Sequence, residues 1–63
     1  MNRITATQAA AMIKADRQGP VVVINAMTAR ALIASGHMRQ AGQPLAKGVA
    51  VELTAKGRAW VGA

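Results

Sequence analysis

Apolar and polar positions change their spacing several times along the chain, and each change marks an element. Thr5-Ala6-Thr7-Gln8 has the form of a capping box. The threonine oxygen can take an orphan helix amide while the glutamine side chain reaches back to the threonine amide. The pattern then predicts a helix from about Ala6 to Arg17, with Ala6, Ala9, Ala10, Met12, Ile13 and Ala15 as a small-residue inner face. Gly19-Pro20 stops it, because proline cannot continue the hydrogen-bond ladder.

Val21-Val22-Val23-Ile24 is an unbroken β-branched run, read as a short buried strand. Asn25 or Thr28 can cap a second helix over roughly Ala26 to Ser35, with Ala29, Leu32 and Ile33 inward and Gly36 at its end. From His37 the period changes to two. His37-Met38-Arg39-Gln40 and Val49-Ala50-Val51-Glu52-Leu53 alternate, and Gly42 to Gly48, with Pro44, is the loop between them. Val49, Val51 and Leu53 should face the core, and Ala50 and Glu52 away from it. Thr54 caps a last short helix, from about Ala55 to Val61, which folds Trp60 back onto the sheet.

Sixty-three residues make a single domain over residues 1–63. At this size roughly 60% of the unfolded chain's surface can be buried, and a lone core supplies only about 3–5 kcal/mol. Alanine inflates the apolar fraction of 52%. The substantial core formers are Ile4, Met12, Ile13, Val21, Val22, Val23, Ile24, Met27, Leu32, Ile33, Met38, Val49, Val51, Leu53, Trp60 and Val61, enough for one thin two-layer core. Met12, Met27 and Met38 are read as core filler in preference to an adaptable binding surface, and Trp60 as a core anchor. With no cysteine there is no disulfide, and one histidine cannot close a tetrahedral zinc site. No metal or other cofactor is expected. A homodimer is the natural way for so small a core to cover more apolar surface.

Eight basic residues, Arg3, Lys14, Arg17, Arg30, Arg39, Lys47, Lys56 and Arg58, face two acidic ones, for a net charge of +6. A field of that sign draws in polyanions. The N-terminus lacks an apolar signal core, and the longest run of large apolar residues is far too short to span a bilayer. The expected setting is the cytoplasm, with no membrane partner.

Catalytic chemistry finds little footing. His37, Ser35 and either Asp16 or Glu52 form a triad only on paper, because Ser35 and Gly36 belong to a helix end and His37 opens a strand. Gly42 to Gly48 is no phosphate loop: no glycine precedes Lys47, no hydroxyl follows it, and the setting is a hairpin. Asp16 and Glu52 read as solvated charges. The expectation is a binding protein and not an enzyme.

Two stretches carry a family resemblance: Thr28 to Arg39, with Leu32 and Gly36 in a Leu-x-x-x-Gly turn and Arg39 in the strand beyond, and Leu53-Thr54-Ala55-Lys56-Gly57-Arg58. Together they resemble the second half of a winged-helix DNA-binding domain. In that family a recognition helix ends in such a turn, passes into a basic strand and a wing loop, and returns through Leu-Thr-x-x-Gly-Arg. The resemblance covers about half the chain. It implies an α+β fold, with two to three short helices on a small, mainly antiparallel sheet, and a helix that enters the major groove of double-stranded DNA. Thr28, Arg30, Ala31, Ala34 and Ser35 would then form that helix's outer face, with Arg39 and Lys47 near phosphates on the wing. The chain supplies one helix between its first strand and the hairpin, where the family has two. Two functions follow: a small bacterial or phage DNA-binding regulator, or a small interaction protein that docks on an acidic surface of a host protein and modulates it.

Overall fold

The computed structural model describes residues 4–62; Arg3 lies outside them. Elements follow in the order α1 (Ala6–Gln18), β1 (Val21–Ile24), α2 (Ala26–Ser35), β2 (Met38–Gln40), β3 (Val49–Leu53) and α3 (Ala55–Gly62). The three strands form one antiparallel sheet in the order β1-β3-β2. Val22 lies opposite Val51 and Ile24 opposite Val49, while Met38 lies opposite Leu53. The result is a small α+β domain with a winged-helix-like arrangement of helix, strand, helix and two-stranded wing.

Local chemistry accounts for the boundaries. The capping box forms: the Gln8 amide donates to Thr5 Oγ1 at 3.1 Å, and the Thr5 amide to Gln8 Oε1 at 3.2 Å. Asn25, and not Thr28, caps α2, its Oδ1 accepting the Met27 amide at 2.8 Å. At the other end of α2 the Gly36 amide reaches Ile33 O at 3.1 Å and the His37 amide reaches Leu32 O at 3.0 Å, and these bonds turn the chain directly into β2. Thr54 Oγ1 accepts the Gly57 amide at 3.2 Å and donates to the Gly36 carbonyl. One hydroxyl therefore caps α3 and ties it to the end of α2.

Alternation along the strands splits the sheet into two faces. Val22, Ile24, Val49, Val51 and Leu53 are buried under the helices, while Val21, Val23, Arg39, Ala50 and Glu52 occupy the open face. The core has four large, fully buried side chains, Met12, Leu32, Met38 and Val51. Each comes from a different element, and burying each contributes about 1.5–3 kcal/mol.

Several expected core positions lie elsewhere. α1 buries Ala11, Met12 and Ala15, and exposes Ala6, Ala10 and Ile13. Its seam is the i, i+3, i+4, i+7 series Gln8, Ala11, Met12, Ala15, and Ile13 points away from it. α2 buries Ala29 and Leu32, whereas Ile33 is exposed. Met27 is 80% exposed and so is not core filler. Val21 is exposed on the open face of the sheet. Trp60 is also exposed, because α3 turns Gly57 inward and packs Val61 against the core.

Candidate nucleic-acid interface

α2 presents an outward arc of Ala26, Met27, Arg30, Ile33 and Ala34, all exposed. Thr28, Ala31 and Ser35 are half-buried on its inner flanks, away from the outer face the sequence assigned them. The Ser35 hydroxyl is also taken: it donates to Leu32 O at 3.0 Å and lies 2.6 Å from His37 Nδ1. With its proton on the carbonyl, Ser35 Oγ accepts from the imidazole Nδ1–H. His37 is buried, so the pair is a fixture of the α2–β2 corner. Neither carboxylate bonds to it: Glu52 pairs with Arg39, and Asp16 lies in a separate cleft.

The wing is anchored beside the end of β1. Gly48 is buried against the Ile24 carbonyl, with which any Cβ would collide, and Val23 Cγ1 would stand 3.2 Å from that Cβ. Only glycine permits this approach. Two bonds, Leu45 N to Gly48 O at 2.7 Å and Gly48 N to Leu45 O at 3.2 Å, close a tight turn with Ala46 and Lys47 at its tip.

Between α2 and this turn runs an open groove of about 420 Å³. Arg30 stands on the helix side and Lys47 on the wing side. Asn25 and Gln40 lie at the same surface, Ala29, Ile33, Pro44 and Leu45 supply apolar walls, and no acidic residue lines it. The N-terminal end of α2 also borders the groove, and its aligned amides add positive potential.

Arg39 does not join this site. It lies on the open face, where its Nε donates to Glu52 Oε1 at 2.6 Å. That places it in a different cleft of about 200 Å³, with Asp16, Glu52 and Arg58. Among the described residues, the other cations divide in the same way. Lys56 Nζ donates to the Ser35 carbonyl at 2.7 Å, and Arg58 Nη1 reaches the Leu53 carbonyl at 3.4 Å. Lys14, Arg17, Arg30 and Lys47 have no side-chain bond, and of these four only Arg30 and Lys47 line the groove. Sequence position could not separate engaged cations from free ones, since the partners of Arg39, Lys56 and Arg58 are carbonyls or cross-strand neighbours. No group of three or more His, Asp or Glu residues among the described residues could hold a metal ion. No described helix is long and apolar enough to cross a membrane.

Comparison with protein-family models, with curated proteins and with solved structures finds no match to this chain.

Proposed function

We propose that the protein is a small DNA-associated regulatory protein of bacterial or phage type. It acts by binding, without catalysis or cofactor, and holds duplex DNA between α2 and the wing. The observation that carries this reading is that Arg30 and Lys47, from two elements, line one acid-free groove, with neither side chain bonded to another of the described residues. Unbonded cations can neutralise phosphates without first breaking an internal contact. The wing supplies Lys47, the helix supplies Arg30, and the small Ala26 and Ala34 leave room for close approach to the duplex. Such a protein works in the cytoplasm.

A labelled random duplex titrated with the protein over about 50 to 200 mM salt tests the reading. Binding should weaken steeply and log-linearly with salt. Absence of binding at the lowest salt overturns it.

The reading as an interaction protein that modulates a host protein draws on the same helix. Four of the five exposed positions on α2 are apolar, Met27 is 80% exposed, and Leu45 adds 47% exposure from the wing. Such an arc offers one charge and few groups for base edges, and it suits an apolar protein contact ringed by cations. A pull-down from nuclease-treated host lysate separates the two readings. Partners that survive nuclease and are lost on Met27→Glu favour a protein; loss of all partners with nuclease favours DNA.

A further inference from the structure

We propose that α2 selects thymine: its exposed apolar side chains pack on the C5-methyl groups in the major groove, in place of hydrogen bonds to base edges. The inference rests on the duplex-binding reading above and adds which bases that site prefers.

A major groove about 12 Å wide admits an α-helix and offers it three kinds of group: hydrogen-bond donors, hydrogen-bond acceptors and the thymine methyl. What α2 can engage depends on what it exposes. Ala26, Met27, Arg30, Ile33 and Ala34 are exposed. In a helix these positions fall within one arc of about 120°. Four of the five are apolar, with Met27 80% exposed and Ile33 37%.

Polar side chains near the arc are turned away or already engaged. Thr28 and Ser35 are half-buried on the inner flanks, and Ser35 Oγ is held by Leu32 O and His37 Nδ1. Asparagine and glutamine read adenine through a donor and an acceptor together. The two at the groove each spend one arm within the chain. Asn25 Oδ1 accepts the Met27 amide at 2.8 Å, and Gln40 Nε2 donates to the Gly42 carbonyl at 2.5 Å. Arg30 stands across the groove from Lys47 and serves phosphate in the duplex reading. The methyl is therefore the group the arc matches. Each methyl buried contributes about fourfold in affinity, and the other three bases carry none. The preference is for thymine-rich duplex, with no strict operator.

The test is fluorescence anisotropy with two labelled duplexes of one thymine-rich sequence, about 20 base pairs each. The second carries uracil in place of every thymine, which removes the C5-methyl and keeps the pairing edge. The wild type should bind the uracil duplex at least about fourfold more weakly, with the same salt slope on both. Met27→Ser/Ile33→Ser removes the two largest apolar side chains of the arc. It should lose affinity for the thymine duplex alone, bringing the two within about twofold. Both replaced side chains are exposed, and circular dichroism checks that the variant is folded. Equal affinity of the wild type for the two duplexes overturns the thymine contact and leaves duplex binding standing. A thymine–uracil difference undiminished in the double variant overturns the assignment to α2. Failure to bind either duplex at about 50 mM salt overturns the duplex reading and this inference together.

Discussion

Arg39 and Glu52 lie directly opposite one another on β2 and β3, and their side chains close to 2.6 Å across the open face of the sheet. The basic strand residue that the winged-helix resemblance placed near phosphate is thus already neutralised by a neighbour thirteen positions away. The Arg39 side chain is 69% exposed, so the pair contributes only about 0–1 kcal/mol to stability. Glu52→Gln should leave the melting temperature nearly unchanged while it frees Arg39. Because Arg39 lies on the open face and not in the groove, the salt slope of duplex binding should keep its wild-type value, with affinity raised only slightly by the extra net positive charge. Fluorescence anisotropy reads the effect, and a slope steeper by about 0.9 would mean that the open face, and not the groove alone, contacts phosphate.

Ser35 separates a structural from a base-reading role. Ser35→Ala removes the hydroxyl that bonds His37 Nδ1 and leaves a buried imidazole short of a partner. The expected loss of stability is about 1–3 kcal/mol. Duplex affinity, measured at a temperature where the variant stays folded, should not change. A folded variant with weakened binding would return Ser35 to the contact surface.

Gly57 is the buried residue of α3 and packs against the His37 backbone. A Cβ there would collide with the His37 carbonyl oxygen and stand 2.8 Å from Leu53 Cδ2. Gly57→Ala forces α3 off the sheet, at about 1–3 kcal/mol or more. That is much of what so small a core supplies. Gly62→Ala, with nothing within 4 Å, should stay within about 0.5 kcal/mol of the wild type. Thermal melts of the two variants should therefore differ sharply, and similar melts would contradict the packing of α3.

Thr54 does more than an ordinary cap. Its Oγ1 serves the Gly57 amide and the Gly36 carbonyl, joining α3 to the end of α2, whereas Thr5 serves only its own helix. Thr5→Ala should cost about 1 kcal/mol. Thr54→Ala should cost more, since the Gly36 carbonyl also loses its donor. Chemical denaturation of both variants checks the order.

The elements were legible because each carries local punctuation: the Thr5–Gln8 box, Gly19-Pro20, the β-branched run and the period-two stretch into Leu53. Helix faces were less legible. Ala9 to Ile13 is apolar at every position, so α1 has no distinct stripe, and alanine contributes too little area to orient it. Its orientation is set by packing against α2, α3 and the sheet together. Trp60 misled for a related reason. Gly57 is the inward residue of α3, and a close glycine contact carries no hydrophobic signal. The groove was legible in part. Arg30 and Lys47 stood out as basic residues of the second helix and the wing, but the fold of the Leu45–Gly48 turn, which sets Lys47 across from Arg30, rests on the long-range contact of Gly48 with Ile24.

The most direct test compares the salt dependence of duplex binding for the wild type, Arg30→Ala/Lys47→Ala and Arg39→Ala. Each phosphate contact contributes about 0.9 to the slope of log affinity against log salt. The Arg30/Lys47 double variant should lose about 1.8 of that slope along with most of its affinity, while Arg39→Ala keeps the wild-type slope. Equal slopes for the wild type and the double variant would contradict the placement of DNA in the groove between α2 and the wing.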